Sequence, residues 1–312
     1  MKRNFIDYLL VSLKGMGMGA ADVVPGVSGG TIAFITGIYE ELIFSIKSIN
    51  LATLKLLFSG KFTAFSKAIN LPFLLALFFG IGLSVLSLAK IMTFLLAQHP
   101  LLTWGFFFGL IIASAWLVGK KITQWNKATY IALILGVIVA YLITELSPAS
   151  TPETVWFIFL SGMIAICAMI LPGVSGAFIL LMMGKYAYLM NAIDTFNLKV
   201  LAIFMGGAAI GIVTFSNILG YFLKKFHNAT VAVLTGFMIG SLNKVWPWKE
   251  VVSTFADRHG EVKPLVERNI SPYSYSELLQ EDNYLLGTIV CAIAGFLLIV
   301  FIERVATISK KD

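Results

Sequence analysis

Six stretches of this 312-residue chain stay apolar for ~20 residues, the length a helix needs to cross the hydrocarbon core of a bilayer. They fall at about 71–96, 101–119, 128–144, 198–223, 229–246 and 284–303. With 58% hydrophobic and only 12% charged residues, the chain has too little polar surface for a soluble globule of this size. It reads as an all-α integral membrane protein. The basic start, MKRNFIDYLLVSLKG, is not expected to be a removable signal peptide, because Asp7 and Lys14 interrupt its apolar run. The net charge of +7 does not point to nucleic acid, since the basic residues are scattered between apolar runs. Cys167 and Cys291 lie inside apolar segments and give neither a disulfide framework nor a metal spacing.

Two further apolar regions, roughly 5–46 and 154–193, are each broken in the middle. The first carries VVPGVSGGTIAFITGIYEEL and the second LPGVSGAFILLMMGKYAYL. Pro25, Gly26, Val27, Ser28, Gly29, Ile32, Gly37, Tyr39 and Leu42 recur as Pro172, Gly173, Val174, Ser175, Gly176, Ile179, Gly184, Tyr186 and Leu189 at one constant offset. The echo continues downstream, with LALFFG against LAIFMG and GFFFG against GFMIG. The chain is therefore expected to be a fused duplication, with a first membrane repeat at 1–146 and a second at 147–312.

Each repeat holds one broken, re-entrant hairpin and three transmembrane helices. A hairpin returns to its starting side, so each repeat crosses an odd number of times and the second is inverted relative to the first. Lys and Arg support this reading: with the N-terminus inside, fourteen fall in inside segments and seven in outside ones. Both termini are then cytoplasmic. The polar loop at about 247–283 is extracytoplasmic and is expected to pack over the outer face.

Proline suits the first turn of a helix and glycine permits sharp reversal, so PGVSGG reads as a turn followed by a new helix start. Irregular backbone at membrane depth is tolerated only where protein or water satisfies it. A helix beginning there presents unpaired amides from the positive end of its dipole, which is an arrangement that holds anions. Gly26, Ser28, Gly29, Gly30 and Thr31 form one such cradle, and Gly173, Ser175, Gly176 and Ala177 its inverted copy. The plainer alternative is close helix packing by small residues, which is the expectation for Gly15, Gly17 and Gly19.

Charges at depth are costly and often functional. Asp22, whose counterpart is Met169, either carries a coupling ion, H+ or Na+, or caps nearby amides. Lys14, Glu40 and Lys185 lie on the hairpin arms, as candidates for a charge role or as side chains that snorkel to water. Tyr39 and Tyr186 read as interfacial anchors. An intramembrane enzyme would need a nucleophile, a base or metal ligands at depth, and the three histidines fall in loops or at span ends. No cofactor or metal is expected. A transporter of a lipid-linked anion and a small-anion channel or exchanger both remain open on the residues alone.

The paired PGVSG segments and their surroundings resemble the bacterial polyprenyl-phosphate transporters of the PopT type, a family long catalogued as a domain of unknown function. The resemblance extends over essentially the whole chain. It implies a translocase that returns undecaprenyl phosphate from the outer to the inner leaflet of the cytoplasmic membrane, recycling the carrier for cell-wall synthesis. By the same implication the anion is that phosphate monoester, the partners are it and membrane lipids, and the site runs over Pro25–Thr31 and Pro172–Ala177.

Overall fold

The structure is a computed structural model that describes residues 3–23, 28–146, 148–149, 151–256 and 262–308. The first half contains α1 (Phe5–Val23), α2 (Gly29–Ile35), α3 (Tyr39–Lys47), α4 (Leu51–Phe58), α5 (Phe62–Ala68), α6 (Leu71–Gln98), α7 (Pro100–Gly119) and α8 (Lys127–Thr144). The second contains α9 (Val155–Ile170), α10 (Gly176–Met182), α11 (Tyr186–Asp194), α12 (Leu198–Lys225) and α13 (His227–Ser241), then strands β1 (Lys249–Ala256) and β2 (Val262–Asn269), α14 (Pro272–Leu279) and α15 (Leu285–Ile308).

Among the described residues, α6, α7, α8, α12 and α15 are long and apolar enough to cross a membrane, and the count reaches seven if each bent pair is one span. The sixth expected span shortens to α13, whose 15 residues rise only ~22 Å. Local signals set the ends. Asn126 accepts the Thr129 amide at the start of α8, Asn50 and Thr53 form a reciprocal cap on α4, and Pro72 and Pro100 occupy the first turns of α6 and α7.

Glycine pairs bring the long helices together in four couples, α1 with α6, α9 with α12, α7 with α15 and α8 with α13. A Cβ on Gly80 would lie 1.9 Å from the Ser12 carbonyl oxygen, and one on Gly207 1.9 Å from that of Phe159. Gly109 has the same relation to Ala292 at 1.8 Å, and Gly236 to Leu133 at 2.3 Å. No side chain fits at these contacts, so the backbones themselves touch. Gly15 and Gly19 belong to the first couple, against Leu77 and Ile81. The last two couples cross the middle of the chain: α7 and α8 pack on α15 and α13, which lie beyond residue 147.

The core lies between α1, α2, α3, α6, α7 and α13, around Ile43, Phe73, Leu77, Ile111, Val118, Leu234 and Met238. Outside it, Phe79, Leu86, Ile131, Leu286 and Phe301 leave large apolar side chains exposed, a belt that hydrocarbon and not water would cover.

Both broken regions turn back on themselves. α2 meets α3 at 113° and α10 meets α11 at 108°, with Gly37 and Gly184 at the bends in left-handed backbone, φ +72° and +62°. The Lys14 ammonium reaches the Thr36 carbonyl at 2.9 Å, while Arg3, at the start of α1, forks onto Glu41. The chain after α2 therefore runs back beside α1 toward its beginning. In the second half Thr151 donates to the Met183 carbonyl, which returns α10 toward the start of α9.

At one end of the bundle Glu41 also accepts from Asn70, and Glu40 pairs with His227 at 3.1 Å. At the other end the 247–283 loop forms an antiparallel β1–β2 ribbon with an irregularity between Val251 and Thr254, followed by α14. It is held by the indoles of Trp246 and Trp248, which donate to the Ile270 and Asn283 carbonyls at 2.9 Å, and by packing of Trp248 and Tyr275 on Leu101.

Candidate functional site

The helix starts at Ser28 and Ser175 arise from the same sequence logic, a serine in extended backbone ahead of a glycine. Ser28 accepts the Gly30 amide at 3.1 Å through its hydroxyl oxygen and the Thr31 amide at 2.9 Å through its carbonyl. The remaining amide of that turn, on Gly29, donates to Asp22 Oδ1 at 2.7 Å. A Cβ on Gly29 would come within 2.5 Å of the other carboxylate oxygen, so the carboxylate sits directly on the turn. Asp22 thus places a negative charge at the positive end of α2. The opposite end of α2 receives cations: Lys14 donates to the Thr36 carbonyl and Lys121, 3.1 Å away, to that of Phe34.

The two motifs interlock. The Ser28 hydroxyl proton is shared between the carbonyls of Leu171 at 3.0 Å and Met169 at 3.2 Å, at the end of α9, where Leu171 also accepts the Val174 amide at 3.4 Å. In return the Gly173 amide donates to Thr31 Oγ1 at 3.1 Å. Gly173 has φ +87° and backs onto the Phe237 carbonyl and Ser241 of α13. A side chain at Gly30 would meet the Ile170 carbonyl oxygen at 2.5 Å, so glycine is what allows the turns to touch. Ser28 and Thr31 are fully buried there.

The second helix start differs from the first. Among the described residues, the Ser175 hydroxyl accepts the Phe178 amide alone, at 3.5 Å, and Met169 stands where the first half has Asp22. Among the described residues, no hydrogen bond engages the Gly176 or Ala177 amide, and Ala177 is exposed where its counterpart Gly30 is buried. The first helix start is capped by the protein's own carboxylate, whereas the second has no carboxylate on it among the described residues and packs Gly176 against the Ala165 carbonyl of α9.

Of the residues singled out from the sequence, Asp22, Ser28, Gly29, Gly30, Thr31 and Gly173 meet at this junction, while Ser175, Gly176 and Ala177 follow at the start of α10, Gly176 against Ala165 and Met169 of α9 and Ala177 exposed. Gly26, with Pro25, lies outside the described residues. Lys14 is at the far end of α2 and Glu40 at the end of the bundle. Lys185 does not snorkel to water: it is 1% exposed and donates to the Thr151 carbonyl at 2.7 Å. Tyr39 is not an interfacial anchor either, being buried against Phe34 with ring centroids 4.7 Å apart. In both cases the hairpin bend turns the side chain into protein, which apolar runs on a linear sequence do not reveal. Sequence reasoning also passed over Lys244, Lys249 and Glu267, whose proximity depends on the register of the β ribbon.

A family model described as VCA0040-like, undecaprenyl phosphate translocase-like, matches residues 18–263. A polyprenyl-phosphate transporter of Vibrio cholerae is 46% identical over 306 residues, covering 98% of this chain and 99% of the relative. One of Staphylococcus aureus is 35% identical over 254 residues, covering 75% and 85% respectively. No solved structure matches. Both relatives are named as transporters, which accords with a membrane body that moves a substrate and does not transform it. On the extent of these matches and a fold of apolar helices with two bent pairs, the chain belongs to the undecaprenyl phosphate translocase-like family.

Proposed function

We propose that this protein carries undecaprenyl phosphate, or a related polyprenyl phosphate, from the outer to the inner leaflet of the bacterial cytoplasmic membrane and so recycles the carrier lipid. In this reading the two halves are inverted repeats, both termini are cytoplasmic, and the β ribbon faces outward. The observation that supports it is the hydrogen bonding of Ser28 to Leu171 and of Gly173 to Thr31, which ties the start of α2 to the segment that leads into α10.

A phosphate cannot cross hydrocarbon bare, because removing a charge from water costs far more than a carrier could recover from contacts to the tail. The head group needs donors, while the isoprenoid chain can stay in lipid. Gly176, Ala177 and Ser175 supply amides and a hydroxyl with no competing carboxylate. Gly29, Gly30, Thr31 and Ser28 supply the same set once Asp22 leaves, and a proton or Na+ on Asp22 weakens its hold on Gly29. Transfer of the head group from the second cradle to the first is then coupled to neutralisation of Asp22, with Gly173, in left-handed backbone, letting the chains approach.

The test is a leaflet-accessibility assay for undecaprenyl phosphate in cells with and without the protein. Loss of inward movement in its absence, restored by the wild-type chain, is the expected result. Equal accessibility in both would remove the reading. Chloride flux through reconstituted liposomes is the control for a small-anion exchanger, and is expected to stay at background.

A further inference from the structure

Where α13 gives way to the β ribbon, a cavity of about 460 Å³ opens against α10. Phe178 and Met182, one helical turn apart, supply an apolar wall. Lys244 and Lys249 face them together with Glu267 of β2. The two ammoniums lie 3.1 and 3.4 Å from the same oxygen of that carboxylate, so two positive charges share one negative charge. Burial pushes Lys249 down to about 8 against the pull of Glu267, and the two lysines hold Glu267 below the usual carboxylate range despite its burial.

Of the other charges lining the cavity, Arg268 is taken by Glu250 at 2.6 Å, and Glu145 keeps its negative charge beside the neutral Asn243 amide, 2.6 Å away, so the excess is local to Glu267, where Lys249 also donates to the Lys244 carbonyl at 2.7 Å. The Lys249 side chain is only 7% exposed and lies 4.5 Å from the Trp104 ring centre, so water screens it poorly. A buried cation without its full complement of negative charge is costly unless an anion joins it. The volume falls in the range of small-molecule sites, with one polar side and one apolar side. Phe178 is three residues beyond Ser175, so the cavity abuts the second cradle ~5 Å along the same helix.

We propose that this cavity is a docking site for a phosphate monoester borne on an apolar chain, where Lys244 and Lys249 receive the head group before it passes along α10 to the second motif. The proposal rests on the transport reading above, in which this is the outer face. It assigns the 247–283 loop a role as the wall of a vestibule.

The experiment is equilibrium binding of farnesyl phosphate, and separately of inorganic phosphate, to the full-length protein in nanodiscs. Lys244→Gln is expected to weaken farnesyl phosphate binding about tenfold, the loss of one charge-assisted contact. Glu267→Gln is expected to strengthen it severalfold by freeing both ammoniums. Opposite signs cannot come from a purely structural role, since loosening the ribbon would weaken binding in both. Two unchanged affinities, or a loss in both variants, overturn the vestibule and leave the transport reading intact. Inorganic phosphate binding as tightly as farnesyl phosphate overturns the lipid assignment. Failure of the wild-type protein to bind farnesyl phosphate, with no leaflet movement in cells, overturns the transport reading itself.

Discussion

If Asp22 occupies the first cradle in competition with substrate, removing its charge should favour the phosphate. Asp22→Asn keeps an oxygen that can accept the Gly29 amide, now held at 2.7 Å by a carboxylate, but replaces a charged acceptor by a neutral one. Hydrogen bonds to charged groups contribute ~1.5–3 kcal/mol and neutral ones ~1 kcal/mol, so the internal occupant weakens by roughly 1 kcal/mol. That corresponds to about fivefold tighter binding of farnesyl phosphate in nanodiscs. Asp22→Ala removes acceptor and charge together and leaves a buried amide unpaired, at about 1–3 kcal/mol of stability, while opening the cradle further. Binding and thermal unfolding should then move in opposite directions. Transport by Asp22→Asn across a pH series should lose the dependence that a titrating carboxylate imposes. If the asparagine variant binds and transports as the wild type does at every pH, and the alanine variant loses affinity in step with stability, Asp22 is a helix cap and the competition argument is wrong.

Other expectations follow from the same junction and from the ribbon. Gly30→Ala puts a Cβ 2.5 Å from the Ile170 carbonyl and should cost ~1–3 kcal/mol by overpacking, read as a lower melting temperature and reduced transport, whereas Ala177→Gly, at an exposed position, should leave the melting temperature unchanged to within about 1 °C. Ser28→Ala loses a cap and the link to Leu171, so stability should fall by ~1–2 kcal/mol; Ser175→Leu, with a longer and weaker cap bond, should abolish movement of undecaprenyl phosphate while the protein stays folded. For Lys249, shifted from 10.5 to about 8 by burial, the folded state sheds a proton that the unfolded state keeps between those values, so stability rises with pH through that window. The size is ~3 kcal/mol; hydrogen exchange in the ribbon should show the rise, and Lys249→Met should flatten it.

The membrane class and the long helices were legible because apolar length is itself the physical requirement for crossing a bilayer. The motif turns were legible for a different reason. Proline restricts the backbone and glycine permits sharp reversal, and the repetition of both at one offset told where two such turns were to be expected. What could not be read was who satisfies whom. That Asp22 would take the Gly29 amide, a bond Met169 cannot supply, follows from the helix start seven residues downstream of Asp22, and the repeat alignment marks only that the two differ. Lys185 illustrates the limit: its charge suggested water, but the bend at Gly184 folds it onto Thr151. The basic vestibule lay further out of reach, since Lys249 and Glu267 are 18 residues apart and meet through strand pairing.

The placement of cations argues for how a phosphate can be held deep in the protein and still be released. The lysines that reach into the hairpins end on backbone carbonyls: Lys14 on Thr36, Lys121 on Phe34, Lys185 on Thr151. They support the C-terminal end of α2 and the return of the second hairpin, away from the junction where Ser28 meets Leu171. A phosphate against an ammonium in a low-dielectric interior would face an attraction many times that in water, and escape would be slow. Helix-start amides offer only a fraction of a charge, spread over several donors, and the Asp22 carboxylate is on hand to reclaim Gly29 as the head group leaves. Placing full charges at the ribbon, where Glu267 competes with a phosphate for Lys244 and Lys249, and partial charges at the junction separates capture from passage. A carrier that must release its cargo on the far side needs the weaker grip in the middle.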